Sequence, residues 1–245
     1  MKGVRGAEKC PGEIRHSQNW IGGTRPGNGA YVSPPPHAVG ELLGQLEQFI
    51  HSESDMSPFV RAGLVHFQFE TIHPYLDGNG SIGRLLIALL LEKWDLLSQP
   101  LLYLSLFFKQ HRVEYYRRLD AVRTEGDFEG WLAFFLEGVA VIADEAVATT
   151  RDLFALVTAD RAKVPTAPPT SVMAARLFEL LPEHPIATIA SAVELLDRTK
   201  PTATKAVSAL IDAGVLVETS GRRDRTFGYA AYLDRLAAGT ELERG

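Results

Sequence analysis

The chain has 245 residues, of which 46% are hydrophobic, and its formal net charge at pH 7 is -5. This length fits one ordinary core plus a smaller second domain, and the acidic balance argues against a nucleic-acid or membrane surface that covers the whole chain. The single cysteine, Cys10, excludes an internal disulfide and a cysteine-based zinc site, and it fits a reducing cytoplasm. No stretch has the length and hydropathy of a signal peptide or a membrane span, so we expect a cytoplasmic protein with no membrane partner.

The first elements in chain order are a predicted hairpin and a predicted helix. In the segment IGGTRPGNGAYV, residues 21–32, Pro-Gly-Asn-Gly stands between short β-forming stretches, which is typical of a hairpin. From 37 to 50 the apolar residues recur at the spacing of a helix with one buried stripe.

Four more helices are predicted up to residue 150. Ser57 and Pro58 supply a capping residue and a first-turn proline for a well-buried helix that ends at His73. The next segment is so apolar that it should lie in the centre of the domain, with the others around it. In chain order these three segments are 84–96, 113–122 and 128–150. The first part of the chain therefore predicts an all-helical bundle.

A proline-rich segment separates this bundle from a second predicted domain. The prolines of KVPTAPPTS, residues 163–171, favour a stiff extended linker, so we place the domain boundary there. Beyond it, three helices are followed by two β-rich segments that flank the basic tip SGRRDR. The predicted bounds are 173–181, 188–196, 201–214, 215–219 and 226–231. This order is that of a winged helix-turn-helix, which we place over 172–236.

The second domain also carries a local excess of positive charge. Between 198 and 225 there are six Lys or Arg residues against three Asp or Glu residues, within an acidic chain. The wing of a winged helix can track DNA phosphates, so we predict regional DNA contact. The predicted contact residues are Lys205, Arg222, Arg223 and Arg225. The alternative is a domain used only for dimer contacts, because three arginines at a hairpin tip also form an ordinary solvated turn.

Chemistry-bearing residues are most concentrated in HPYLDGNGSIGR, residues 73–84. The glycines before the next helix can form a backbone cradle for an anion, of which phosphate is the natural occupant. Asp77 suits a magnesium ion, and His73 can accept a proton near neutral pH. Arg84, predicted in the first helical turn, is disfavoured by the helix dipole but would be explained by a bound polyanion. Each residue alone also fits a structural role; together they indicate a catalytic site.

The same stretch resembles the signature of Fic-domain proteins, His-Pro-Phe-x-Asp/Glu-Gly-Asn-Gly-Arg-x-x-Arg, with Tyr75 at the phenylalanine position. The segment GEIRHSQNWIGGTRPGNGAYVSPPP is similar to the β-hairpin flap of that family, here at about 17–33. The resemblance covers roughly residues 1–150, and we assign 1–162 to the domain. A winged helix recurs as the C-terminal companion of bacterial Fic domains. The implied fold is mainly α: a Fic-type helical bundle with a β-hairpin flap, followed by a small winged helix-turn-helix domain.

The resemblance implies an enzyme, a protein adenylyltransferase that moves AMP from ATP to a Ser, Thr or Tyr hydroxyl of a target protein or of the chain itself. It implies ATP and Mg2+ as cofactors, His73 as general base and Asp77 as the metal ligand. The implied nucleotide-binding residues are Asp77, Gly78, Asn79, Gly80, Ser81, Gly83, Arg84, Tyr115 and Tyr116. The implied flap residues, which hold the target as an extended strand, are Trp20, Ile21, Gly22 and Gly23.

Ser81 departs from the signature, because it stands where the family has its first arginine. The loss of that guanidinium predicts a slow enzyme rather than an inactive one. Two other functions are left open: a DNA-binding transcriptional regulator with a degenerate Fic domain, and a Fic-type transferase of another phosphate-containing group. A homodimer is also left open, as are core-packing roles for Tyr115, Tyr116, Trp20 and Ile21.

Overall fold

The computed structural model describes residues 12–97, 104–164, 171–219 and 225–238, and these residues are mainly helical. The chain divides into two compact units, Met1–Asp144 and Glu145–Gly245. The division falls within a long helix, Phe128–Arg161, and so before the predicted linker. Of that linker, residues 165–170 lie outside the described residues.

The first unit contains a small hairpin and a set of helices. The strands β1 (Trp20–Ile21) and β2 (Tyr31–Val32) pair antiparallel, with Trp20 opposite Val32. The helices are α1 (Val39–His51), α2 (Pro58–Ile72), α3 (Asn79–Lys93), α4 (Leu104–Gln110), α5 (Arg112–Glu125) and α6 (Phe128–Arg161). The predicted hairpin and the predicted helices of this unit are confirmed as elements.

The core of the first unit forms around α2 and α3, which pack against each other. Helix α2 is buried on most of its circumference, because its sequence is apolar around nearly every turn. Aromatic side chains from α4, α5 and α6 cover its other side, and the indole nitrogen of the buried Trp131 donates a hydrogen bond of 3.0 Å to the carbonyl of Gly63. Burial of these rings fixes the position of α2 within the unit.

The largest differences from the prediction in this unit are one helix start, one additional helix and one helix end. Helix α3 begins at Asn79 and not at 84, because Gly78 caps its start in a left-handed conformation with φ of 84°. Helix α4 was not predicted, since its seven residues are too few for a clear periodicity. Helix α6 continues to Arg161, beyond the predicted end at 150.

Among its described residues, the second unit contains four helices and a three-stranded antiparallel sheet besides the end of α6. Its elements are α7 (Ser171–Leu180), β3 (Ile186–Thr188), α8 (Ile189–Leu196), α9 (Lys200–Asp212), β4 (Val217–Glu218), β5 (Thr226–Gly228) and α10 (Ala230–Ala237). The strand order in the sheet is β3-β5-β4. The three predicted helices and both predicted strands are present, and strand β3 was missed because it is only three residues long.

One element of the second unit was predicted wrongly. The segment 226–231 was expected to be a strand throughout, but it turns at Tyr229 into helix α10. The ring of Tyr229 is fully buried, and its hydroxyl donates a hydrogen bond of 2.7 Å to the Asp160 carboxylate. This buried contact ends the strand, because it turns the side chain into the core of the unit. Among the described helices of both units, none has the length and apolar character required to cross a membrane.

Candidate active site

The site is organised by the C-terminal end of α2. His73 ends this helix in the left-handed conformation, with φ of 50° and ψ of 60°, while its N–H still donates to the carbonyl of Phe69 at 2.9 Å. A non-glycine residue in this conformation costs on the order of 1 kcal/mol and persists only where its surroundings hold it. The last carbonyls of a helix have no partner within the helix, so donors must come from elsewhere.

Arg15 supplies the donors for the last two carbonyls. Its side chain is 2% exposed and donates to the carbonyls of His73 at 2.9 Å and Ile72 at 3.3 Å. It also donates to the carbonyls of Ser17 at 3.1 Å and Pro34 at 2.5 Å, at the two ends of the hairpin segment. Burial lowers the pKa of this guanidinium from its ordinary value, and the full set of acceptors compensates for the lost water. Arg15 thus ties the hairpin to the turn that carries His73.

Tyr31 and Arg123 complete the end of the helix. The Tyr31 hydroxyl donates to the carbonyl of Thr71 at 2.8 Å, and the Arg123 guanidinium donates to the carbonyl of Glu70 at 3.3 Å. The Arg123 guanidinium carbon also lies 3.6 Å from the centroid of the Tyr31 ring, a close cation-π contact. The four carbonyls from Glu70 to His73 therefore each accept a side-chain hydrogen bond from outside the helix.

The segment between α2 and α3 is fixed by Asn79. Its side-chain amide is 2% exposed; its oxygen accepts from the N–H of Tyr75 at 2.9 Å and its nitrogen donates to the carbonyl of Tyr75 at 2.7 Å. The oxygen and the nitrogen of the amide are thus both bonded to the Tyr75 backbone, so Asn79 would contact a phosphate through its backbone N–H. Asp77 is exposed and accepts the N–H of Gly78 at 2.8 Å. The start of α3 offers backbone N–H groups without carbonyl partners in the helix, as an anion site requires.

Arg84 lies in the second turn of α3, not in the first as predicted, because α3 begins at Asn79. Its guanidinium donates to the Ser105 hydroxyl at 3.1 Å, and its other edge lies 3.5 Å from the Ser81 hydroxyl. Ser81 is exposed at the third position of α3. The side chains of the two signature positions therefore meet at the surface.

Two glycines of the signature have different surroundings. A Cβ atom on Gly80 would lie 3.0 Å from the Arg84 guanidinium, so Gly80 leaves room for that side chain. Gly83 was predicted to bind nucleotide, but it is buried against α2, where a Cβ atom would lie 2.7 Å from a carboxylate oxygen of Glu70. Gly83 therefore has a packing role, because the absence of a side chain lets α3 approach α2 closely.

A cavity of about 290 Å³ opens beside Arg84. Its lining combines cationic and aromatic side chains: Arg84, Ser105, Phe108, Lys109, Arg112, Tyr115 and Tyr116. Tyr115 is 5% exposed, and its hydroxyl lies 3.0 Å from Nε2 of the buried His66; Tyr116 is 44% exposed. The structure thus brings Arg84 and both predicted tyrosines to one cavity.

Sequence reasoning missed four of the residues that line this cavity: Ser105, Phe108, Lys109 and Arg112. Two basic residues within four positions, just before the tyrosine pair, were the available signal. Without the fold, such a pair is indistinguishable from a solvated helix surface.

The titratable groups beneath the site are shifted by burial. The pKa of His73 is lowered to about 4, mainly by burial and in addition by the Arg123 and Arg15 guanidinium groups, against the opposing effect of the Glu70 carbonyl. Burial also lowers the pKa of His66 to about 4 and raises the pKa of the Glu70 carboxyl to about 7. A Glu70 carboxylate oxygen lies 4.0 Å from Nδ1 of His73. Both histidines are therefore neutral at pH 7, and His73 is able to accept a proton.

The donor set for a metal is small. Within 12–97, 104–164, 171–219 and 225–238, no cluster of three or more His, Cys, Asp or Glu residues could hold a metal ion. The site offers the exposed carboxylate of Asp77 beside the start of α3. Magnesium is commonly bound by one or two carboxylates together with substrate phosphates, so this arrangement fits magnesium that arrives with a nucleotide.

The predicted flap residues lie on the hairpin. Trp20 and Ile21 form β1 and are half-buried, and Gly22 and Gly23 follow in the left-handed conformation with φ of 70° and 67°. At Gly23 only glycine fits, because a Cβ atom would lie 2.2 Å from the carbonyl oxygen of Asn28. The hairpin is joined to the site at its base, through the contacts of Arg15.

Comparisons with known proteins relate the first part of the chain to one family. The family model described as Fic/DOC family matches residues 2–91. The protein adenylyltransferase Fic of Drosophila ananassae is 33% identical over 144 residues, which are 58% of this chain and 26% of that protein. The Drosophila virilis protein of the same name is 32% identical over 144 residues and is covered to 27% of its length. The chain thus spans about a quarter of the length of the curated relatives it matches.

A solved structure supports the fold. The crystal structure of a Fic family protein from Desulfovibrio desulfuricans G20 aligns with a TM-score of 0.52, over 88% of this chain and 62% of that one, at 20% identity. The predicted mainly helical Fic-type fold is thereby confirmed, while the winged helix-turn-helix stays a prediction.

We expect Arg15→Met to lower the free energy of unfolding of the first unit by about 2 to 4 kcal/mol, because it leaves buried carbonyls unpaired. Urea unfolding followed by tryptophan fluorescence measures this unit, since the three tryptophans of the chain, Trp20, Trp94 and Trp131, all lie within it. Arg25→Met, at an exposed arginine of the same hairpin, is the control and should change stability by less than about 0.5 kcal/mol. Equal unfolding midpoints for the two variants would contradict the role of Arg15.

Glu70→Gln should stabilise the first unit relative to the unsubstituted chain as pH rises. In the unfolded chain the Glu70 carboxyl has its ordinary pKa of 4.5 and ionises above that pH. In the folded chain its pKa is raised to about 7, so it stays protonated until higher pH. Ionisation therefore favours the unfolded state between these values, and Gln removes this cost. The gain should grow by about 2 kcal/mol between pH 5 and pH 8, measured by the same urea unfolding. Glu53→Gln, at an exposed glutamate, should show no such trend.

Proposed function

We propose that this chain, whose residues 2–91 match the Fic/DOC family model, transfers AMP from ATP to a hydroxyl group of a protein. The observation that carries the proposal is that one motif contains three features: a neutral histidine, the start of a helix, and an arginine that lines a cavity together with two tyrosines. A base, an anion site and a nucleotide-sized cavity are the parts that nucleotidyl transfer requires.

In the proposed reaction the hydroxyl oxygen of the target attacks the α-phosphorus of ATP. The bond from that phosphorus to the bridging oxygen breaks, and pyrophosphate leaves. His73 accepts the proton of the attacking hydroxyl, a contribution typically of about 100-fold to 10,000-fold in rate. The Glu70 carboxylate, 4.0 Å from Nδ1, then stabilises the imidazolium wherever it is ionised.

Phosphate binding falls to the start of α3 and to Arg84. The backbone N–H groups after Gly78 would receive the α-phosphate and the charge that develops on it. Asp77 would hold magnesium, which when bound neutralises charge on the phosphate oxygens. Arg84 would contact the outer phosphates, since its guanidinium lies at the cavity.

The acceptor is proposed to be a target protein or a second copy of this chain. An extended target segment could add to the hairpin at Trp20 to Gly23 through backbone hydrogen bonds, which need no particular side chains. Since Arg15 joins the hairpin to His73, the same contacts would place the acceptor hydroxyl near the base.

The first test follows the label of ATP. With α-labelled ATP, label should appear on the chain or on a protein of a lysate, and His73→Ala should abolish transfer while nucleotide binding is retained. The control, His37→Ala, removes an exposed histidine outside the site and should leave transfer unchanged. Label from γ-labelled ATP with none from α-labelled ATP would contradict AMP transfer and favour transfer of another phosphate-containing group.

A second candidate is regional DNA binding by the second unit. It is favoured by three exposed cations, Arg198, Lys200 and Lys205, at the start and on the outer face of α9. Of the predicted wing residues, Arg222 and Arg223 lie outside the described residues. Arg225 is held by Glu218 through contacts of 2.7 and 2.6 Å, so its charge is partly neutralised and its predicted DNA contact is weakened.

We expect Lys200→Ala with Lys205→Ala to weaken binding of the full chain to duplex DNA of random sequence, by about tenfold at low salt. Binding should also weaken as salt rises, because counterion release supplies most of the affinity. Lys93→Ala, at an exposed lysine of the first unit, is the control in the same mobility-shift measurement. Unchanged mobility of the DNA with the unsubstituted chain at low salt would contradict this candidate.

A further inference from the structure

We propose that Lys109 and Arg112 bind the β- and γ-phosphate oxygens of the nucleotide, and that they replace the positive charge absent at Ser81. This inference rests on the proposed function of the same site and names its substrate class: a nucleoside triphosphate rather than a monophosphate. Lys109 belongs to α4 and Arg112 to α5, and both helices follow the signature in the chain.

The composition of the cavity is the first argument. Its lining contains three cations, Arg84, Lys109 and Arg112, and no carboxylate. The remaining lining residues are three aromatic rings and the Ser105 hydroxyl. Rings suit the base and ribose of a nucleotide, and a concentration of positive charge without acidic partners suits its phosphates.

The second argument is that neither charge is neutralised by an acidic side chain among the described residues. Neither Lys109 nor Arg112 forms an ion pair with any of the residues that the structure describes. The nearest acidic residue on α5, Glu114, is instead held by Arg117 and Arg118, each at 2.6 Å. Glu114 is thus directed to Arg117 and Arg118 and not to Arg112, so the two cations beside the cavity are suited to an anionic ligand.

The third argument connects the cavity with position 81. Arg84 donates to Ser105 at 3.1 Å and lies 3.5 Å from the Ser81 hydroxyl, so it joins the two. Ser105 and Lys109 are one turn apart on α4 and share a face. Arg112 begins α5 with its guanidinium carbon 5.7 Å from the centroid of the Tyr116 ring. Arg84, Lys109 and Arg112 therefore place positive charge on three different helices around one cavity.

The chemistry of the nucleotide makes the inference selective. AMP lacks the β- and γ-phosphates, and these carry most of the charge of ATP. Cations that contact them should improve ATP binding and leave AMP binding almost unchanged. Because both side chains are exposed, their effect should also decrease as ionic strength rises.

Calorimetric titration of the full chain with ATP and with AMP, each with magnesium at low salt, tests the inference. The double variant Lys109→Ala with Arg112→Ala should bind ATP about tenfold or more weakly, in line with the loss of one to two charge-assisted contacts. Its affinity for AMP should change by less than about twofold. The control, Arg117→Ala, removes a positive charge from α5 outside the cavity and should leave both affinities unchanged.

Addition of Ser81→Arg tests whether Lys109 and Arg112 replace the positive charge that is absent at position 81, or whether any added positive charge raises ATP affinity equally. If Lys109 and Arg112 carry the function of the absent arginine, Ser81→Arg should raise ATP affinity more in the double variant than in the unsubstituted chain. Unchanged ATP affinity in the double variant, an equal loss for ATP and AMP, or the same gain from Ser81→Arg in both backgrounds would overturn the inference. Selective ATP binding without any AMP transfer would contradict the proposed function and leave this inference standing.

Discussion

The four carbonyl groups at the end of α2 are the constraint on which the site depends. They belong to the residues from Glu70 to His73, they cannot be paired within the helix, and they are held by Arg15, Tyr31 and Arg123. These three donors come from the hairpin segment and from α5. A single requirement, that buried carbonyls be hydrogen-bonded, thus fixes His73 in its left-handed conformation and joins the hairpin and α5 to it.

The same packing explains the electrostatics of the site. Gly83 allows α3 to approach α2 so closely that the Glu70 carboxyl is enclosed between them, which raises its pKa to about 7. The two helices also enclose His66, and burial keeps both His66 and His73 neutral near pH 7. A neutral imidazole beside cationic groups is a weak base, but it is available in its reactive form throughout the neutral pH range. The close helix contact therefore sets the protonation states that the proposed chemistry needs.

Much of this arrangement could be predicted from the sequence, and the rest could not be predicted for physical reasons. Apolar periodicity predicted α1 and α2, and the glycines of the signature predicted the turn before α3, because both signals are local. Arg15 and Arg123 were missed, since their acceptors are carbonyls about fifty residues away along the chain, and a carbonyl has no sequence signature. Asn79 was interpreted as a phosphate ligand, whereas its amide is used to shape the turn.

The site thus has two parts that are held by different forces. His73 and the start of α3 are held by hydrogen bonds from the Arg15 and Asn79 side chains to backbone carbonyls, each of which costs about 1 to 3 kcal/mol to leave unmade, so this part has little freedom to change. Ser81 is exposed beside Arg84, and Lys109 and Arg112 are exposed at the cavity, so a substitution at these positions alters charge but not the backbone. Electrostatic binding of a flexible polyphosphate depends on the total charge within reach more than on any one residue. The signature can therefore lose its first arginine at position 81 without losing its geometry, provided that cations on neighbouring helices reach the same phosphates.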